Sequence, residues 1–531
     1  MIKRFRLFFF LSLILSAQSV DPIAGSRNKA DRLEAFRDLG FGLFIHWTLD
    51  SQLGLEISHS MVGASEDYLK RYIEELPKSF NPYKFNPADW ARLSKLAGMK
   101  YMVFTSKHHN GFAMFDTKTT PFNIMKTPFA RDIAGELISA YRNAGISPGF
   151  YFSPDDFWWL REHKIQLQRH IPAVSPANNP GLLKHDQAQV RELMTKYGDI
   201  DVMFFDGPWD GLRELAWDIN PNTVVTRGGI ATPEQFVPGV ALDGPWESCI
   251  TMGNSWPYKP TNENYKSGRE LISLLVETRA KGGNLLLNIG PSPEGEIPTE
   301  QKQRLEEIGL WMFINGEAIY GVRPWVVTNE KGYWFTRKKN TNTVYVIVKE
   351  DERWKYGEWK EISLKSIKAT ANTRISVLGQ NDEVLEYQPT VKPRSSFRQQ
   401  GDTLVLRAMH AQRLYTNRQW PNPVVIKLEN VEAALEPPKI ETTTNFAANL
   451  VSLGGAASVE VYFEYQDVTG FDLTERPSNW KALPAQTVSQ PGSVTVKPPT
   501  LQSGHQYEFR PVVRHPLLQV YGGTKSFRAA N

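Results

Sequence analysis

Polar and aromatic side chains gather where the short apolar runs of this chain give out, at the expected C-terminal ends of strands. They are His46 and Trp47, Lys107 to Asn110, Tyr151 and Ser153, Asp206, Arg227, Trp246 and Glu247, and Asn288. Two carboxylates on different runs, surrounded by imidazoles and indoles, suit hydrolysis of a glycosidic bond. One acid protonates the leaving oxygen, and the other attacks the anomeric carbon or activates water there. The faces of Trp47 and Trp246 can pack on the C–H surfaces of a sugar, while His46, His108, His109 and Arg227 can hold its hydroxyls. Each residue also has a plainer reading. Asp206 could cap the next helix, and Glu247 could sit in a salt bridge at a barrel edge. Neighbouring histidines on a strand point to opposite faces and no third ligand motif accompanies them, which argues against a metal. Cys249, the single cysteine, reads as a small buried hydrophobe rather than a nucleophile and excludes an intramolecular disulfide.

Presenting these groups together requires a scaffold of strands whose ends converge. Candidate strands at residues 41–47, 101–107, 148–153, 201–206, 223–227, 246–251 and 284–289 alternate with helical patterns at 86–97, 132–144 and 267–281. Runs such as Val202-Met203-Phe204-Phe205 are apolar on both faces, as in a parallel sheet covered on both sides. A (β/α)8-like barrel is therefore expected, with its chemistry at the C-terminal ends of the strands. An open doubly wound sheet is the alternative, but no Gly-rich phosphate loop follows the first strand. Beyond Trp325 the pattern shifts to alternating strands, as in residues 343–348 and 403–406, which predict a β-sandwich. After Glu436-Pro437-Pro438, residues 501–510 resemble the late strands of a fibronectin type III module, with Tyr507 placed as a tyrosine corner. The expected division is a signal peptide at 1–19, a catalytic barrel at 20–322, a β-sandwich at 323–435 and a fibronectin type III-like or Ig-like β-domain at 436–531.

Four segments in order then become specific together: Phe41-Gly42-Leu43-Phe44-Ile45-His46-Trp47, Lys107-His108-His109-Asn110-Gly111-Phe112, Phe205-Asp206-Gly207, and the run from Gly282 to Pro291. Over about residues 33–325 the chain resembles the α-L-fucosidases of glycoside hydrolase family 29. The resemblance implies a barrel followed by a β-sandwich, a retaining double displacement and no cofactor. It implies Asp206 as nucleophile, Glu247 as general acid/base with Glu56 and Glu66 as substitutes, and His46, His108, His109, Tyr151 and Arg227 as sugar contacts. Two positions depart from the family pattern. Asn110 stands where His-His-Asp-Gly-Phe has its aspartate, and Thr48 stands where a glycine commonly follows His-Trp. Residues 155–180, with Trp158, Trp159, Arg161 and His163, follow no family pattern.

Lys3, Arg4 and Arg6, the apolar stretch at 7–15 and Ala17-Gln18-Ser19 have the form of a signal peptide, so export to the periplasm or outside the cell is expected. Losing that segment lowers the formal net charge of +4 by three, leaving no electrostatic footprint for nucleic acid. The expected partner is a fucosylated oligosaccharide or polysaccharide, with no nucleic acid, no membrane and no metal; homo-oligomerisation is left open. Two rival functions remain: an exo-glycosidase for an L-galactose-configured or sulfated sugar of algal polysaccharide, and a glycan-binding protein without catalysis.

Overall fold

The strands that carry the candidate residues are buried on both faces, as strands of a parallel sheet covered by its own crossover helices are. In the computed structural model, which describes residues 25–530 apart from 58, 170, 240, 243, 349–353, 415–420, 445 and 470–478, helix α1 (Ala30–Leu39) leads into β1 (Phe41–Ile45). The expected signal segment lies outside the described residues. Three helices, α2 (Glu66–Glu74), α3 (Leu76–Ser79) and α4 (Pro87–Leu96), precede β2 (Tyr101–Lys107). Then α5 (Ile133–Asn143) leads to β3 (Ser147–Phe152), and α6 (Phe157–Glu162) with α7 (Pro180–Lys196) leads to β4 (Val202–Phe205). After α8 (Arg213–Ile219) come β5 (Val224–Val225) and β6 (Glu247–Thr251), then α9 (Gly268–Ala280), β7 (Asn284–Ile289) and α10 (Thr299–Asn315). Every residue of β1, β2, β4, β6 and β7 is buried.

Local chemistry sets the helix starts. Asn86 accepts the backbone N–H of Asp89 while Pro87 fills the first turn of α4, and Asp132 accepts from Gly135 at the head of α5. Ser267 and Glu270 form a reciprocal capping box on α9.

The seven strands form one parallel sheet in the order β5-β4-β3-β2-β1-β7-β6. The eight-strand expectation is corrected: among the described residues seven strands form this sheet. Among the described residues between β5 and β6, Ala231 and Glu234 make parallel bridges, to Trp246 and Cys249 of the β6 region. That short segment lies beside β6 where an eighth strand would stand. Phe44, Tyr151, Phe204, Val103 and Leu286 pack inside the curved sheet.

Residues 25–436 form one compact unit and 437–530 belong to a second. Within the first, a five-stranded sheet (Val322–Glu330, Tyr333–Lys338, Val344–Val348, Ile367–Val377, Val424–Ala433) and a three-stranded one (Trp359–Leu364, Ser396–Gln400, Thr403–Met409) follow the barrel. Trp311 of α10 donates its indole N–H to the carbonyl of Pro423 at 2.8 Å, and Thr336 donates to Ala318 at 2.8 Å, so the sandwich is bonded to the last barrel helix and its exit turn. In the second unit two antiparallel sheets enclose Phe446, Leu450, Val461, Phe463, Phe509 and Val513. There the Tyr507 hydroxyl accepts the backbone N–H of Gln502 at 3.1 Å. Among the described residues no helix is long and apolar enough to cross a membrane.

Candidate active site

Asp206 comes directly after β4, its backbone N–H bonded to the Phe152 carbonyl at the end of β3. Its two carboxylate oxygens have separate partners. Tyr151 donates its hydroxyl to Oδ2 at 2.6 Å, and Arg227 donates Nη1 to Oδ1 at 2.7 Å. Burial alone would raise the Asp206 pKa, but the Arg227 charge, helped by that of Arg169, holds it well below the usual carboxylate range. The side chain is 15% exposed, and Arg227 beneath it is buried over the Phe204 ring, 4.5 Å from its centroid. The second terminal nitrogen of Arg227, Nη2, donates to Glu234 Oε2 at 2.8 Å. One guanidinium therefore carries two carboxylates, the second of them 34% exposed.

Three histidines surround Asp206, and the hydrogen bonds fix their tautomers. The Asn288 amide N–H₂ donates to the Trp256 carbonyl at 2.7 Å, so Asn288 Oδ1 faces His46 Nδ1 at 2.6 Å and must accept from it. His46 Nε2 is left as an acceptor. Ser153 donates its hydroxyl to the Asp155 carbonyl, so His109 Nδ1 donates to Ser153 Oγ at 2.5 Å. His109 Nε2 then stands as an acceptor 3.5 Å from Asp206 Oδ2, with no hydrogen-bond partner among the described residues. Asp206 Oδ2 already accepts from Tyr151, so a sugar hydroxyl brought here can donate its one hydrogen to His109 Nε2. His108 Nδ1 accepts the His109 backbone N–H, leaving Nε2–H as a donor, and its ring stacks on Tyr151 at 4.9 Å. Burial lowers the pKa of all three, His46 to about 3, so they act as neutral imidazoles. Trp256 closes the group, 4.7 Å from the His46 ring.

Three expected site residues do not join this cluster. Trp47 alternates with His46 and points outward among Phe80, Phe85 and Trp90, with its indole N–H on the Ser292 carbonyl. Trp246 lies before β6, buried over Gly283 and bonded to the Lys281 carbonyl. Glu247 opens β6 instead of ending it, in register with Asn284 at the start of β7. It is fully buried and accepts the hydroxyl of Tyr101, the first residue of β2, at 2.6 Å. These are N-terminal strand ends, away from the face where barrel chemistry collects. Glu66 is 80% exposed and ion-paired with Arg161, while burial raises the pKa of Glu56, near Ser255 and Lys259.

The family model described as Alpha-L-fucosidase matches residues 11–317. The chain belongs to the α-L-fucosidase family. It is 31% identical to the plasma α-L-fucosidase of Rattus norvegicus, over 65% of this chain and 85% of that protein. The solved structure of α-L-fucosidase isoenzyme 1 from Paenibacillus thiaminolyticus is 28% identical, with a TM-score of 0.60 over 76% of this chain and 99% of that one. A family 29 α-L-fucosidase from Bacteroides thetaiotaomicron, solved as a covalent intermediate trapped with 2-fluoro-fucosyl fluoride, is 25% identical. Its TM-score is 0.59 over 77% of this chain and 98% of its own. The fucosidase chain is thus a glycoside hydrolase with a fucosylated glycan as the substrate its family implies.

In this fucosidase Glu247, the expected acid/base, lies at the opening of β6, whereas Glu234 shares the Arg227 guanidinium with Asp206. Nothing in the sequence around Glu234 marks it; Arg227, seven residues earlier, becomes the pointer only once its bond is seen. Burial, opposed by the Tyr101 hydrogen bond, pushes the Glu247 pKa up to about 7. The folded state therefore keeps a proton that the unfolded chain releases from about pH 4.5 upward, and stability falls as pH rises from there to about 7. Glu247→Gln should remove that fall. The expected result is activity within a few-fold of wild type and a variant Tm that gains on wild type between pH 5 and pH 8. Loss of activity beyond about 100-fold in a folded Glu247→Gln protein, a size expected of a general acid, would return the acid role to this residue.

Among the described residues two clusters have the ligand types for a metal ion, and neither fits one well. His108, His109 and Asp206 converge, but Arg227 already holds the carboxylate. Asp156, His185 and Asp186 also converge, but the buried Lys107 ammonium lies 3.2 Å from Asp156 Oδ2 and 2.8 Å from Asp186 Oδ1, in a cation's place.

Proposed function

We propose that this chain is an exported, retaining exo-α-L-fucosidase, with Asp206 as nucleophile and Glu234 as general acid/base. The observation that carries the reading is the Asp206 carboxylate, ionised, oriented by Tyr151 and Arg227 and open on one side at the C-terminal strand ends. Asp206 attacks the anomeric carbon while Glu234 gives its proton to the departing oxygen. The resulting fucosyl-enzyme is then opened by water, whose proton returns to Glu234. The donor at His108 Nε2 and the acceptors at His46 Nε2 and His109 Nε2 match ring hydroxyls, each able to give and accept a hydrogen bond. The trapped covalent intermediate of the Bacteroides enzyme supports double displacement. Export rests on the leader-like first 19 residues and on the plasma enzymes among the relatives. The second unit, with its two antiparallel sheets and its Tyr507 to Gln502 bond, is read as a fibronectin type III-like domain.

Two inversions at one carbon return the starting configuration. Proton NMR of early hydrolysis of an aryl α-L-fucoside should therefore show α-L-fucose first, with the β-anomer growing in by mutarotation. The β-anomer appearing first would contradict double displacement.

A further inference from the structure

The loop that follows β1 and the turn that carries His108 and His109 meet at a buried acid–amide contact. Asn110 donates its amide N–H₂ to Asp50 Oδ2 at 2.8 Å, with the Tyr72 hydroxyl at 2.9 Å and Thr48 Oγ1 at 3.2 Å also in reach. Its own Oδ1 accepts the Phe112 backbone N–H at 2.9 Å, which fixes the orientation of the amide. Asp50 Oδ1 accepts from Tyr72 at 2.8 Å, and the Asp50 carbonyl accepts from Leu53 and Leu55. Asp50, Asn110, Thr48 and Tyr72 are all buried. Both positions departing from the family pattern, Thr48 and Asn110, are in this cluster.

We propose that Asp50 and Asn110 form a positioning pair that locks the loop after β1, bearing Glu56 and His59, to the His108-His109 turn, and that acid and amide can exchange places. The proposal rests on the reading of His108 and His109 as sugar-holding groups. Hydrogen-bond accounting carries it. The acceptor on one side faces a donor on the other, so one acid and one amide satisfy the contact, whereas two acids place like charges at hydrogen-bond distance and cannot both ionise. The groups facing Asp50 are Tyr72 and Tyr68 of α2, Ser60 of its own loop, and Asn110. Burial, partly offset by the bonds from Ser60, Tyr72 and Asn110, already raises the Asp50 pKa to about 7. A second carboxylic acid beside it would share one proton at low pH and repel at high pH.

Asn110→Asp makes the turn more like the family pattern, yet it should be harmful here. Its kcat/KM on an aryl α-L-fucoside should fall about 100-fold at pH 8, the size of effect that a misplaced site produces, and recover as pH falls toward 5. The exchanged Asp50→Asn/Asn110→Asp variant should return to within a few-fold of wild type with the wild-type pH profile. Should Asn110→Asp not fold, the exchanged variant is compared with wild type alone, and wild-type-like kcat/KM and pH profile support the pair. An Asn110→Asp enzyme matching wild type at every pH would overturn the proposal. So would an exchanged variant that is unfolded or no better than Asn110→Asp. An inactive wild type would instead sink the fucosidase reading itself.

Discussion

Asp206→Gly should lower turnover of a nitrophenyl α-L-fucoside by at least about 10⁴-fold, because loss of a nucleophile removes the covalent route and leaves only binding and the remaining polar groups. The same substitution leaves space beside Arg227, whose Nη1 loses its carboxylate while Nη2 keeps Glu234. A small anion fits that vacancy in size and charge. Added azide should restore part of the activity and, attacking from the face Asp206 occupied, give β-L-fucosyl azide. Asp206→Asn, which keeps an acceptor for Arg227, separates chemistry from folding: it should be equally inactive and stay folded. Rescue without inversion at the anomeric carbon would contradict the assignment.

Glu234→Ala should show a different signature. General acid help rises with the basicity of the leaving oxygen and is worth about 10² to 10⁴. Oligosaccharide substrates should therefore lose activity in that range, while a nitrophenyl fucoside, which leaves without a proton, loses much less in the first step. Its fucosyl-enzyme should accumulate, because water now lacks its base. Azide should relieve that block and give α-L-fucosyl azide, the opposite anomer to the Asp206→Gly product. Equal losses on both substrates, or no azide effect, would move the role to Glu56, an exposed carboxylate on the loop after β1.

Much of the scaffold was legible because burial on both faces leaves a continuous apolar signature, as in β4, and because Asn86, Asp132 and Ser267 announce helix starts through their own hydrogen bonds. That His46, His108, His109, Tyr151, Asp206 and Arg227 would converge was readable because each lies at or just after the end of such a run. The residues that stay outside the cluster do so for local reasons. Trp47 shares a strand end with His46, yet alternation along the strand sends neighbours to opposite faces, so only one of the two enters the pocket. Glu247 was expected within a strand at 246–251, and that span already makes it the strand's opening residue; motif likeness outweighed position. Glu234 sits among turns where no periodicity exists, and its meeting with Arg227 depends on the Glu234–Cys249 bridge, a tertiary register that sequence spacing does not encode. The same holds for Asp50, whose partner Asn110 lies 60 residues away.

The most direct measurement is inactivation by 2-fluoro-fucosyl fluoride followed by peptide mass spectrometry. Its fluorine slows both steps, but the good leaving group lets the covalent intermediate form and persist. Trypsin cutting after Lys196 and Arg213 releases residues 197–213, which contain Asp199, Asp201, Asp206 and Asp210, so fragmentation must place the added sugar. The account predicts one 2-fluorofucosyl group per chain, on Asp206, with activity returning as the ester turns over. A label on any other residue, or an enzyme that stays unlabelled and fully active under conditions where it hydrolyses aryl α-L-fucosides, would contradict it.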